Sequence, residues 1–227
     1  MSNNQQLANQ LLAASIHEIK NRFGLLFSQL DQLLLDLPLD EAHTQNTHLI
    51  KSEAEFIGNE LVRVLASYKS IDHDLEINQE QQFLVDFLEE KVARHANTAK
   101  AKGLEISFDC DEELDGFFDA SVVNIVLDTA IYNAVKEGAK HILICAEQPD
   151  GYLQIQIHDN GPGFPQSMLE SGIQLGQLKD ESQSTGLGLF FAQSLIARHT
   201  EGEKTGRVEL GKSDRLDGAC VTLFLPQ

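Results

Sequence analysis

The sequence predicts an α+β protein in two parts: an antiparallel helical hairpin, then a domain whose helices pack on one face of a sheet. Three observations predict it. Residues 1–73 space their apolar side chains at the helical period. Residues 81–227 alternate apolar and polar positions in several short runs, with helical runs between them. Between the two lies a polar stretch, "DLEINQE" at 74–80, which reads as a linker.

In the first part, Leu12, Ile16, Ile19, Phe23, Leu26, Leu30, Leu33 and Leu37 are separated by alternating steps of four and three, a heptad seam. Pro38 and the polar run "DEAHTQN" interrupt it. A second seam follows through Ile50, Ala54, Ile57, Leu61, Val64, Tyr68 and Ile71. Two long helices joined by a short polar loop form a hairpin with one apolar face left over. A second copy covers that face, so the sequence predicts a homodimer held by a four-helix bundle.

The second part opens with "QQFLVDFLEEKVARHANTAKAKG", a helix ended by Gly103. "LEISFDC" reads as a strand and "ASVVNIVLDTAIYNAVKEGA" as a helix. "HILICAE" and "YLQIQIHD" alternate as strands around the turn "QPDG". "GLGLFFAQSLIARH" starts on glycines and continues as a helix. "RVELGKS" and "ACVTLFL" close the chain as a hairpin around "DRLDG". The reading is of antiparallel strands with three helices.

Composition narrows the function. With 17 Lys and Arg against 35 Asp and Glu, the net charge is −18, a poor surface for nucleic acid or an anionic membrane. No apolar run approaches the roughly 20 residues of a membrane span, and "MSNNQQLANQ" has no signal-like core. The chain reads as cytoplasmic. Cys110, Cys145 and Cys220 are scattered, each in or at the end of an apolar strand-like run, and read as buried reduced thiols.

Four stretches carry chemistry. "SIHEIKN" presents His17 with Glu18 beside it and Asn21 one turn on. "YNAVK" places Asn133 on a helix, with Lys136 about one turn along the same face. "DNGPGF" follows a strand directly and contains Asp159, Gly161 and Gly163. "STGLGL" precedes a helix and contains Thr185, Gly186, Leu187 and Gly188. A strand-end carboxylate suits an exocyclic adenine amine. Glycines let backbone approach a nucleotide closely, and a helix start points amides and a positive dipole at phosphates. An asparagine oxygen suits Mg²⁺, which keeps several waters. His158 precedes Asp159, but strand alternation aims it the other way.

In this order and on these elements, the motifs resemble those of a bacterial two-component sensor histidine kinase core. "HEIKN" is similar to its phosphoacceptor box, "YNAVK" to its asparagine box, and "DNGPGF" and "STGLGL" to its two glycine boxes. The resemblance implies a dimerisation and histidine-phosphotransfer hairpin over 1–73. Over 81–227 it implies an α/β sandwich ATP-binding domain of the Bergerat type, shared with gyrase B, Hsp90 and MutL. It implies His17 as phosphoacceptor, Glu18 as its proton acceptor, and Asn21 as the residue orienting a water that removes phosphate from the partner. It assigns Asp159 to adenine, Asn133 to Mg²⁺, Lys136 to a phosphate, and Gly161, Gly163, Thr185, Gly186, Leu187 and Gly188 to the nucleotide walls. Residues 165–183 become a lid, with Lys179 its only basic residue.

The implied activity is Mg²⁺-ATP-dependent autophosphorylation of His17, followed by transfer to an aspartate of a response-regulator receiver domain, with a regulator phosphatase activity beside it. Two sources of the signal fit the sequence equally: the chain is the excised core of a longer kinase, or it takes its signal from a separate sensor protein. The rival reading is a phosphotransfer hub that docks receiver domains without kinase activity. The sequence departs from the family at Arg22, where proline is common, at Thr129, where a second asparagine is common, and at Ser184, where glycine is usual. Glu137 stands where an aromatic often lies against the nucleotide.

Overall fold

The computed structural model describes residues 77–173 and 187–227. The chain divides into Met1–Leu75 and Glu76–Gln227, and the described residues belong to the second unit. The predicted hairpin, with His17, Glu18 and Asn21, lies outside the described residues, as do Thr185, Gly186 and Lys179.

The unit runs β1 (Glu80–Phe83), α1 (Leu84–Lys102), β2 (Glu105–Cys110), β3 (Asp115–Phe118), α2 (Ala120–Lys136), β4 (His141–Glu147) and β5 (Tyr152–Asp159). It continues with α3 (Gln166–Ser171), α4 (Leu187–Ile196), β6 (Thr200–Glu201), β7 (Lys204–Thr205), β8 (Arg207–Lys212) and β9 (Ala219–Pro226). A five-stranded sheet has the order β2-β4-β5-β9-β8. The strand pairs β4–β5, β5–β9 and β8–β9 are antiparallel. β2 pairs with β4 in parallel, Ile106 beside Ile142, and α2 lies in the connection between them. The expectation of antiparallel strands is corrected there: β2 and β4 are separated by a helical crossover, which returns the chain in the same direction.

Period-two alternation gives the sheet a helix-facing side. Leu153, Ile155 and Ile157 of β5, Ile142 and Ile144 of β4, and Val221, Leu223 and Leu225 of β9 are all buried there. They meet Val123, Val126, Leu127, Ala130 and Ala134 of α2, and Leu189, Ala192, Leu195 and Ile196 of α4. This apolar layer is the core, and its burial is the main force holding the unit.

The helix ends are fixed as the residues require. Asp119 caps α2, accepting backbone N–H from Ser121 at 2.9 Å and Val122 at 3.1 Å. Its Oδ2 accepts the N–H of Asn78 at 3.0 Å. Its own N–H donates to Nε2 of the fully buried His199 at 3.1 Å. Gly103 ends α1 with φ 59°, as the sequence predicts.

Three short pieces differ from the sequence reading. Residues 80–83, predicted as linker and helix, form β1, which pairs with the unpredicted β3. The β6–β7 pair also arises where no strand is predicted. The predicted lid opens with a helix, Gln166–Ser171. Cys145 and Cys220 are buried free thiols as expected, whereas Cys110 is only half-buried. Burial pushes Cys145 and Cys220 above the ordinary thiol range. No helix among the described residues is long and apolar enough to cross a membrane.

Candidate nucleotide-binding site

β5 delivers Asp159 to the helix-facing side of the sheet at the strand's last position, where it is 8% exposed. The next residue locks that strand end. Asn160 Oδ1 accepts the N–H groups of Lys140 at 2.8 Å and His141 at 2.9 Å, and its own N–H donates to His141 O at 3.2 Å. Asp159 Oδ1 accepts Gly161 N–H at 2.7 Å and Ala219 N–H at 3.2 Å. Two main-chain donors thus fix the carboxylate, and Oδ2 accepts nothing among the described residues.

A cleft of about 320 Å³ opens beside it, in the size range of small-molecule sites. Ala130, Asn133, Ala134 and Glu137 form the α2 wall. Pro162, Gly163, Phe164, Pro165 and Met168 form the outer wall, Leu189 of α4 the end, and Ala219 and Val221 of β9 the base. The walls are mostly apolar, with one buried carboxylate, a surface suited to a flat heterocycle that donates a hydrogen bond to Asp159. Asn133 is half-buried, and its side-chain amide has no partner among the described residues. A neutral oxygen at a cleft wall suits Mg²⁺, which is held by one or two protein ligands plus substrate phosphates.

Several predicted residues come together here. Asp159, Asn133 and Gly163 line the cleft, and Gly161 holds Asp159 through its N–H. Gly163 has φ 80°, a conformation that favours glycine, so the bend after Pro162 depends on it. Leu187 and Gly188 open α4, which enters the cleft through Leu189. Lys136 is exposed and does not line this cleft. Glu137, which departs from the family pattern, does line it.

The sequence reading missed Gly218 and Ala219. Gly218 N–H donates to Asp159 O at 3.1 Å. A Cβ on Gly218 would lie 2.4 Å from that oxygen and 2.7 Å from Asp159 Oδ1, so no other residue fits. Its only sequence signal was the dipeptide "DG", which reads as an ordinary hairpin turn.

Comparisons with known proteins agree with this geometry. Residues 118–227 match the family model of histidine kinase-, DNA gyrase B- and HSP90-like ATPases. The adaptive-response sensory kinase SasA of Synechocystis sp. is 22% identical over 86% of this chain and 54% of its own length. The sensor histidine kinase YvrG of Bacillus subtilis is 21% identical over 98% of this chain and 39% of its own. The chain spans about half the length, or less, of these curated relatives. The catalytic domain of the histidine kinase ThkA shares the fold, with a TM-score of 0.54 and 19% identity over 66% of this chain and 95% of that one. The stretch 118–227 is therefore similar to the histidine kinase-, DNA gyrase B- and HSP90-like ATPases, and the chain as a whole to sensor histidine kinases.

Proposed function

We propose that the chain is a protein histidine kinase that binds Mg²⁺-ATP in this cleft, autophosphorylates on His17 and passes the phosphoryl group to a response-regulator aspartate. The observation that carries the proposal is Asp159. It is buried at the base of an apolar cleft, its Oδ1 is held by two main-chain donors, and its Oδ2, which accepts nothing among the described residues, would take an adenine amine. Asn133 on the facing wall would hold Mg²⁺ through its side-chain oxygen. That ion supplies neutralisation of the charge that builds on the transferred phosphoryl group.

In the proposed step, a neutral His17 ring nitrogen attacks the γ-phosphorus of ATP. The N–P bond forms as the bond to the β–γ bridging oxygen breaks, and ADP leaves. Glu18 takes the proton from the other ring nitrogen. Gly161, Gly163, Thr185, Gly186, Leu187 and Gly188 are the proposed nucleotide walls, and Lys136 a phosphate contact. The phosphohistidine then reacts with a receiver aspartate, and Asn21 orients the water that reverses that modification. The proposal includes a homodimer, built by the 1–73 hairpin and joined by 74–80 to the catalytic domain 81–227. It also includes a cytoplasmic location and input from a separate sensor protein. A phosphotransfer hub without ATP chemistry is the weaker reading, because it gives the fixed carboxylate no ligand.

The test is incubation with Mg²⁺ and γ-labelled ATP beside His17→Ala. Acid-labile label on the wild type and none on the variant is the expected result. Nucleotide binding without any label overturns the kinase activity, and absence of binding overturns the site.

A further inference from the structure

On the face of the sheet opposite Asp159, β5 ends in His158, which is 2% exposed. There it meets the turn that joins β8 to β9. His158 Nδ1 lies 3.1 Å from Ser213 Oγ. That oxygen already accepts the backbone N–H groups of Arg215 at 3.2 Å and Leu216 at 2.8 Å. The hydroxyl proton is what remains to donate, and Nδ1 is the acceptor it meets. The imidazole proton therefore sits on Nε2, a buried atom without a hydrogen-bond partner among the described residues.

The turn continues to the cleft. Ser213, 3% exposed, donates its N–H to Gly218 O at 2.8 Å. Gly218 N–H donates to Asp159 O, and Ala219 N–H to Asp159 Oδ1. A run of hydrogen bonds thus links His158 on one face with Asp159 on the other, by way of the turn.

We propose that His158 and Ser213 are positioning residues for the nucleotide cleft. Their hydrogen bond holds turn 213–218 in the shape that sets Gly218 and Ala219 against Asp159, and it ties nucleotide affinity to the protonation of His158. The inference rests on Asp159 as the adenine acceptor.

The groups facing His158 set its proton affinity. Burial acts first and disfavours the imidazolium. Asp214, whose Oδ1 lies 3.7 Å from Nδ1, favours it, Arg215 opposes it, and Asp159 favours it. Across the strands stand Cys220 of β9 and Leu143 of β4, neither of them charged. The balance holds His158 below the ordinary histidine range, so it is neutral at pH 7. Once protonated, Nδ1 becomes a donor. It then faces an oxygen that already accepts two N–H groups and points its own proton at the ring. The hydroxyl turns away, and the turn loses its anchor.

The test titrates a fluorescent ATP analogue against the whole chain from pH 8 to pH 5.5. Wild type is compared with Ser213→Ala, Ser213→Thr and Asp159→Asn. The Gly218 and Ala219 amide resonances are followed over the same range without nucleotide. Ser213→Ala is expected to bind roughly tenfold more weakly at pH 8, with a flatter pH profile than wild type. Ser213→Thr, which keeps the hydroxyl, is expected to restore both. The two wild-type amide resonances are expected to move as His158 titrates. Wild-type affinity and pH profile in Ser213→Ala, with binding lost in Asp159→Asn, overturns the positioning role and leaves the adenine reading intact. Amide resonances that ignore the His158 titration overturn it even where Ser213→Ala fails to fold. A wild type that binds no nucleotide overturns the adenine reading and this inference with it.

Discussion

Two acidic residues line the cleft, and their surroundings separate their roles. Asp159 is buried and held by two main-chain donors, so its position is fixed. Glu137 is the exposed residue that ends α2, so it contributes charge without a fixed partner among the described residues. A carboxylate at the mouth of a site for a polyanion repels its ligand. Glu137→Gln is expected to tighten ATP binding about two- to fivefold at low salt, with the gain shrinking as salt rises. Isothermal titration at two ionic strengths checks this, and equal affinities at low salt would remove Glu137 from the site's electrostatics. The exchange of an aromatic for a glutamate was legible as a departure. Its position on the cleft wall needed the fold, because α2 reaches the cleft only through packing against β5 and α4.

Between elements, two buried polar contacts replace apolar packing, and each gives a measurable handle. Lys91 of α1 is 1% exposed and donates to Asp128 Oδ1 of α2 at 2.8 Å and to Asn124 O at 3.2 Å. His95 Nε2 lies 2.8 Å from the same carboxylate oxygen. Burial lowers the proton affinity of Lys91. For Asp128, burial acts to raise the pKa, but the His95 hydrogen bond and the Lys91 charge outweigh it and hold the carboxyl below its usual range. Breaking the pair strands a carboxylate, whereas replacing both partners does not. Lys91→Met is expected to lose about 2 kcal/mol in urea unfolding, less than a fully buried pair, because His95 remains. Lys91→Met combined with Asp128→Leu is expected to recover most of that loss.

The second contact joins α2 to the end of α4. His199 accepts the Asp119 N–H on Nε2, and its Nδ1 donates to Ile196 O at 3.3 Å. The Nε2 contact requires the neutral ring, because that nitrogen accepts only when unprotonated, and burial lowers the ring's proton affinity. The folded pKa is depressed, so the unfolded chain binds the proton more readily in mild acid. The stability from His199 is full above about pH 6.5 and is lost as pH falls toward the depressed value. His158 adds to the same window. Thermal melts from pH 8 to 5 should show this fall in wild type and a shallower one in His199→Gln. Identical slopes would exclude His199 as the cause.

For the whole molecule, the net charge of −18 opposes any polyphosphate that approaches it. ATP association is therefore expected to speed up, not slow down, as salt rises from 20 to about 200 mM, because screening weakens repulsion. Stopped-flow association with a fluorescent nucleotide reads this directly, and a rate that falls with salt would reveal a local positive field at the cleft. How much of this molecule was legible in the sequence depended on range. Helix α2 and strands β4, β5, β8 and β9 could be read because each carries its own apolar period. The four-residue β1 and β3 could not: "EQQF" is mostly polar, and Phe83 and Phe117 are exposed, so neither strand shows an alternation to read. The parallel pairing of β2 with β4, and the approach of Gly218 to Asp159, depend on partners distant in sequence. At the site, the strand-end carboxylate and the asparagine were legible from their motifs, while the Gly218 and Ala219 main chain that holds the carboxylate was not.

The strand order also sets a timetable for synthesis. β9 lies between β5 and β8 in the sheet, yet among the described strands it comes after both in the chain. Until Ala219–Pro226 has left the ribosome, β5 has one bare edge and Asp159 lacks the Ala219 and Gly218 amides that hold it. Everything made before then, α2 and the first glycine motif included, waits as a partly closed intermediate. A nascent chain stalled at Lys212 would carry nearly every residue of the cleft and still have no floor to place them on.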